Sequence, residues 1–214
     1  MVDIYTVLAL TSALAVIIPG VVLLTLLRGL KVPKLRNLTI ILASFAILHG
    51  CYHLSYLVGL ASIAPYIDLV TALILVLLGM YYSDKIIATS LFLITLPQVA
   101  SDIVPIALII AFALFVRLAI ISKSLSSLQA QLSIFLIIWI FAELLRALLV
   151  IGILAATEQL QLLGLEIHTA SMVAFGGFIL FRYYRITSSA TPANISLEWH
   201  SKPKEDPKDD DGVA

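Results

Sequence analysis

Runs of apolar residues long enough to cross a lipid bilayer follow one another along most of this 214-residue chain. A membrane-spanning helix needs about 20 apolar residues. The whole sequence is 61% hydrophobic and 12% charged, whereas soluble domains are about 45–50% apolar and about 25% charged. Backbone groups in lipid have to be hydrogen-bonded within their own helix. We therefore expect an all-α integral membrane protein.

The apolar runs divide into seven predicted spans, which would form a seven-transmembrane helix bundle with short loops. The spans are Ile4–Leu27, Leu38–Leu60, Tyr66–Tyr82, Ile86–Ala100, Ile103–Ile121, Leu132–Ala155 and Ile167–Phe181. The fourth and fifth are separated at LPQVASDIVP, where two prolines flank Ser101 and Asp102 and favour a break. A capping box at Ser126 and Gln129 would start the sixth helix earlier than its apolar run.

The basic residues set the predicted orientation. Seven spans place twelve of the thirteen Lys and Arg residues on one side of the membrane, and the thirteenth, Arg146, lies inside a span. Positive loops stay in the cytoplasm, so we expect the N-terminus outside, the C-terminus in the cytoplasm, and a location in the cell membrane. Residues 1–186 form the predicted membrane domain. Residues 187–214 are polar, with proline and an acidic run, and we expect a disordered tail.

Two predicted spans carry polar side chains along one helical face. These are His49, Tyr52, His53 and Tyr56 on the second span, and Trp139, Glu143 and Arg146 on the sixth. Polar groups inside a membrane are costly and usually face the bundle interior. At a rise of 1.5 Å per residue, His49 and Glu143 lie about 16 Å and about 15 Å from the cytoplasmic edge. We therefore expect Glu143 to face His49 and to pair with Arg146.

A second polar group gathers near the predicted outer surface. Its members are Asp68, Gln98, Ser101, Asp102, Glu166 and His168. Irregular backbone at membrane depth is tolerated where it lines a cavity, so these residues could line an outward pocket with His53 and Tyr56 at its floor. Ordinary loop polarity at the membrane surface is the alternative interpretation.

The spacing of His49 and His53 also allows a metal site, because i and i+4 side chains can bind one ion from a single helix face. Glu143 is a weak candidate for a third ligand, with Asp68, Asp102 and His168 as further options. A pair of hydrogen-bonded packing histidines is the competing hypothesis. A haem is disfavoured, because the helix rise places His168 about 9 Å or more above His53. No cofactor is identified from the sequence.

The sequence excludes several classes of function but does not indicate a particular reaction. Zero net charge gives no reason to expect nucleic acid, the single cysteine excludes a disulfide within the monomer, and no familiar catalytic motif is present. A non-enzymatic sensory or ligand-binding module with a buried His/Glu/Arg network fits best. The alternatives are an accessory subunit of a larger membrane complex and a metal- or haem-binding redox protein. The expected partners are the lipid bilayer and other membrane proteins.

Overall fold

The fold is described from a computed structural model that covers residues 3–30, 32–83, 97–122, 124–125, 127–154 and 157–188. These residues form six long helices and one short 3-10 turn, Leu27–Gly29. The helices are α1 (Ile4–Leu26), α2 (Pro33–Leu57), α3 (Ala64–Ser83), α4 (Pro97–Ile121), α5 (Leu128–Val150) and α6 (Glu158–Ser188). All six are long and apolar enough to cross a membrane, which indicates a membrane-embedded helical protein.

Local sequence explains where these helices begin and end. Asp3 caps α1 by accepting hydrogen bonds from the backbone N–H and the hydroxyl of Thr6, and these bonds hold the pKa of Asp3 below its ordinary value. Ser127 caps α5 through the N–H of Ala130. Helices α2 and α5 both end in a glycine with positive φ, Gly59 and Gly152, which is the usual terminator of such helices.

The helices form a ring in which each packs against its neighbours in sequence, and α6 closes the ring against α1. Helices α1 and α6 run in the same direction, because the Ser12 hydroxyl lies 2.9 Å from that of Thr169 while Gly176 lies beside Ala15. Helices α3 and α4 are also parallel, since Gly79 packs against Leu114 near their ends and their first turns share a pocket.

The charged residues divide the two ends of this ring. Among the residues that the structure describes, every Lys and Arg except Arg146 lies toward the end where α1 finishes, which we call the basic end. Its cations are Arg28, Lys34, Arg36, Arg117, Arg182 and Arg185. At the other end, which we call the acidic end, lie Asp3, Asp68, Asp102 and Glu158. The charge asymmetry expected from the sequence is therefore present in the fold.

Several predicted boundaries need correction. The predicted break between spans four and five is wrong, because α4 runs without interruption from Pro97 through Ser101, Asp102 and Pro105 to Ile121. Pro97 costs nothing at a helix start, where its missing N–H would be unpaired anyway. Residues 86–96 of the predicted fourth span, and the predicted tail from residue 189 onward, lie outside the described residues. The seven-span count is therefore not visible in the described helices.

The predicted seventh span starts too late. Helix α6 begins at Glu158, nine residues before the predicted start at Ile167. Its first turns carry Gln159, Gln161 and Glu166, and these polar residues lowered the hydropathy on which the prediction depended. His168 is therefore well inside the helix. For α5 the capping residue is Ser127, one position after the predicted Ser126, and the helix ends at Val150 instead of Ala155.

The contact between α6 and α1 leaves no room for a side chain at Gly176. A Cβ added there would lie 2.1 Å from the carbonyl oxygen of Ala15 and 3.0 Å from Pro19 Cγ. We expect Gly176→Ala to force the two helices apart and to lower the free energy of unfolding by about 1–3 kcal/mol. Gly177→Ala is the matched control, because a Cβ at Gly177 meets nothing within 4 Å. Thermal denaturation in mild detergent would compare the two; equal losses would contradict this packing.

Candidate metal centre

Three histidines from two helices meet in the interior of the ring. His49 and His53 lie one turn apart on α2, and His168 faces them from α6. The Nε2 atom of His168 lies 3.0 Å from Nε2 of His53 and 3.4 Å from Nε2 of His49. All three side chains are almost fully buried, with exposures of 0%, 4% and 0% for His49, His53 and His168. The three ring nitrogens thus converge on one small volume.

The expected depth of His168 was wrong. The helix rise placed it about 9 Å or more above His53, whereas the two rings touch with centroids 5.0 Å apart. The error follows from the late predicted start of the last helix, which put His168 at the outer surface instead of at the eleventh residue of α6. His168, one of the further options from the sequence, is therefore the third imidazole beside the α2 pair.

Glu143 lies behind His168 on α5. Its Oε2 atom is 2.9 Å from Nδ1 of His168, the ring nitrogen that points away from the other two histidines. Glu143 is fully buried. A carboxylate in this position favours the tautomer of His168 with its proton on Nδ1, which leaves the Nε2 lone pair directed at His49 and His53. The sequence predicted that Glu143 faces His49, whereas the contact seen in the structure is with His168.

Arg146 joins this carboxylate to a second one on α3. Its guanidinium donates to Oε1 of Glu143 from Nε at 2.7 Å and to Oδ2 of Asp68 from a terminal nitrogen at 2.8 Å. The predicted Glu143–Arg146 pair is present in the structure. With both carboxylates ionised and the imidazoles neutral, one guanidinium faces two negative charges. The network then carries one formal negative charge in excess.

Aromatic rings surround the histidines and separate them from lipid. The His49 ring stacks near Phe45 on one side and Tyr52 on the other, at centroid distances of 5.9 and 5.6 Å, and Trp139 meets it edge-on at 4.8 Å. Phe45 did not stand out in the sequence, although it lies one turn before His49 on the same face. Within the described residues, His49 Nδ1 and Trp139 Nε1 have no hydrogen-bond partner, and the close pair of Glu143 Oε2 and His168 Nδ1 lies outside hydrogen-bond geometry.

The remaining predicted residues divide between a pocket and the surface. Tyr56, Asp68 and Ser101 line a pocket at the acidic end together with Tyr52 and Arg146, whereas His53 is not among its lining residues. Asp102 and Glu166 are exposed on α4 and α6 and do not line the pocket. Gln98 lies in the first turn of α4, and its side chain is outside the described part.

No protein family, no curated protein and no solved structure matches this chain. Its function is therefore inferred from the geometry and charge of the histidine cluster and of the residues around it.

Proposed function

We propose that this chain is a multi-pass membrane protein that binds one divalent metal ion of the zinc class at His49, His53 and His168. The observation that carries this proposal is the convergence of three buried Nε2 atoms on one point between α2 and α6. The proposal corresponds to the metal-binding alternative given in the sequence analysis and differs from the sensory module that was favoured there.

The separations between the nitrogens support a tetrahedral ion. Four ligands placed at 2.0–2.1 Å around zinc in a tetrahedron are about 3.3–3.4 Å apart. Two of the three Nε2 separations are 3.0 and 3.4 Å, and the three ligand atoms lie within 4.8 Å of one another. Small ring rotations would therefore bring all three nitrogens to bonding distance.

The type and number of donors favour zinc over haem. Three imidazoles with an open fourth position are typical of zinc sites that accept water or another ligand, while structural zinc sites use four protein ligands. Imidazole also suits copper, iron and nickel. A haem iron needs its axial histidine to face a flat ring. Here the Nε2 atom of His168 lies 3.4 Å from that of His49 and 3.0 Å from that of His53, and a flat macrocycle does not fit between nitrogens that are so close.

The surrounding charges also favour a cation. When Glu143 and Asp68 are both ionised, two negative charges face the one positive charge of Arg146, and electrostatic attraction is stronger in a buried, low-dielectric site than in water. Glu143 would act as the second-shell carboxylate that orients a metal-bound histidine. Without a metal, two imidazoles compete for the single Nε2 lone pair of His168.

We also propose that the chain crosses the membrane seven times, with its N-terminus outside. Parallel packing of α3 and α4 supports this number, because consecutive membrane spans run in opposite directions. Twelve of the thirteen cations would then face the cytoplasm. The accessory-subunit alternative gains less support, since the small-residue face at Gly176 packs against α1 of the same chain.

Metal analysis of the purified protein tests the proposed function. The full chain would be isolated in mild detergent with a tag that contains no histidine, saturated with zinc, and freed of unbound metal before elemental analysis. We expect about one zinc ion per chain, replaceable by cobalt with the visible spectrum of a tetrahedral ion. A chain that retains no zinc after this treatment would contradict the proposal and favour hydrogen-bonded packing histidines.

Glu143→Gln should weaken metal binding without abolishing it. The substitution removes the charge that orients His168 but leaves Arg146 paired with Asp68, so the remaining network is neutral and the fold is preserved. Loss of a carboxylate behind a metal-bound histidine typically lowers affinity by about 10–100-fold. Zinc competition with a chromophoric chelator would measure this change. Glu166→Gln, on the exposed face of α6, is the matched control; equal affinities for all three proteins would argue against this role.

A further inference from the structure

The pocket at the acidic end lies next to the histidine cluster. It is lined by residues of four helices, among them Tyr52, Tyr56, Asp68, Ser101, Val104 and Arg146. Tyr52 separates the pocket from the histidines, because its ring lies 5.0 Å from that of His53 and 5.6 Å from that of His49. The guanidinium of Arg146 lies over the same ring at 4.9 Å. The Tyr52 ring thus lines the pocket and also borders the buried histidine cluster.

A continuous series of contacts between charged side chains links the pocket to the histidines. Asp68 and Arg146 both line the pocket, and 11% and 18% of their side-chain surfaces are exposed. From there Arg146 reaches Glu143 at 2.7 Å, and Glu143 reaches His168 at 2.9 Å. Arg146, the only cation among the described pocket-lining residues, is therefore held by two carboxylates, one at the pocket and one beside the metal centre.

We propose that this pocket is the access route of the metal ion, and that Asp68 is the carboxylate that first binds the ion on its way to the histidines. This inference rests on the proposed function. On binding, the ion takes the place of the Arg146 guanidinium beside Asp68. It then passes the Tyr52 ring, which lies between the pocket and the histidines, to reach the three Nε2 atoms.

The charges favour a cation over an anion as the passing ligand. An anion in the pocket would find one guanidinium already engaged by Asp68 and Glu143, and it would be repelled by both carboxylates. A hydrated divalent cation finds oxygen ligands on Asp68 and the hydroxyls of Ser101 and Tyr56 among the residues around it. Without the Asp68 charge the Arg146 guanidinium would make the pocket less attractive to a cation, and electrostatic effects of this kind change association rates by about 10–1,000-fold.

The rate of cobalt loading tests this route. Metal-free full-length protein in lipid nanodiscs would be mixed with cobalt, and the growth of the tetrahedral visible spectrum followed in a stopped-flow instrument. We expect Asp68→Asn to load at least about tenfold more slowly than the parent protein, with the same spectrum at the end. Asp102→Asn is the control, because Asp102 carries the same charge one residue beyond a pocket-lining serine but lies outside the pocket.

A reversible block of the pocket gives an independent test. Tyr56 lines the pocket and is 49% exposed, so Tyr56→Cys can be coupled to a bulky thiol reagent in a Cys51→Ala background. We expect coupling to slow cobalt loading at least about tenfold and reductant to restore it. Leu60→Cys is the control, since Leu60 is 51% exposed at the same end but does not line the pocket.

The outcomes separate this inference from the proposed function. Unchanged loading in both Asp68→Asn and the coupled Tyr56→Cys protein would overturn the route while the histidine site stood. An Asp68→Asn protein that never develops the spectrum would also overturn it, because Asp68 would then be part of the final site or of the fold. A parent protein that takes up no cobalt would instead remove the proposed function itself.

Discussion

Replacing His168 with alanine is expected to abolish zinc binding at the cluster. The substitution removes the only imidazole from α6, leaves two ligands on one helix face, and deprives Glu143 of the ring that it orients. Loss of a second-shell partner alone typically costs about 10–100-fold in affinity, so loss of a ligand should cost more than about 100-fold. Zinc titration against a competing chelator would measure the affinity of each variant.

Controls separate loss of the site from loss of the fold. His200→Ala removes a histidine of the C-terminal segment and should bind zinc as the parent does. Zinc at 100 times its dissociation constant stabilises a protein by about 2.7 kcal/mol, so it should raise the melting temperature of the parent and of His200→Ala but not of His168→Ala. His168→Gln keeps a polar group of similar reach. Zinc affinity within threefold of the parent in both His168 variants would contradict the site.

Replacing Arg146 with leucine is expected to cause the largest loss of stability. It leaves Asp68 and Glu143 as two buried carboxylates without a counter-ion, and breaking a buried ion pair by removing one partner costs about 3–5 kcal/mol. It also removes the contact with the Tyr52 ring. The free energy of unfolding, obtained by titrating the folded protein in mild detergent with a denaturing detergent, would measure the loss.

Removing the two carboxylate charges as well tests whether they cause the loss of stability. A triple variant with Arg146→Leu, Asp68→Asn and Glu143→Gln contains no uncompensated charge and should recover most of the stability. Arg117→Leu is the control, because Arg117 is exposed on α4 toward the basic end, and surface substitutions usually change stability by less than about 0.5 kcal/mol. Two results would contradict this account: a decrease of less than about 1 kcal/mol in the free energy of unfolding of Arg146→Leu, or no recovery of stability in the triple variant. Either would show that Arg146 does not stabilise the two carboxylates.

The sequence predicted those parts of the site that depend on one helix at a time. His49 and His53 share a face because of their spacing, and Glu143 and Arg146 pair because they are three residues apart on α5. The equal membrane depth of His49 and Glu143 stays a prediction, although His168 contacts both side chains. Helix α1 was predicted to within one residue, because no charged residue interrupts its apolar run.

Contacts between helices that are far apart in the sequence could not be predicted from residue spacing on one helix. The Asp68–Arg146 pair joins residues 78 positions apart, and its formation depends on the rotation of α3 and α5 in the ring, which hydropathy does not encode. His168 was misplaced because the polar first turns of α6 resemble a loop. The uninterrupted α4 was missed because Pro105 favours a break in water-soluble helices but is tolerated in membrane helices.

X-ray absorption at the zinc edge is the most direct test of the central claim, which is that three imidazoles hold one metal ion inside the bundle. The zinc-loaded full chain should show nitrogen scatterers at about 2.0–2.1 Å, with the multiple-scattering pattern of three imidazole rings. His53→Ala should lose that shell. A sulfur scatterer at about 2.3 Å, which would implicate Cys51, or a shell of oxygen atoms without imidazole scattering, would contradict the site.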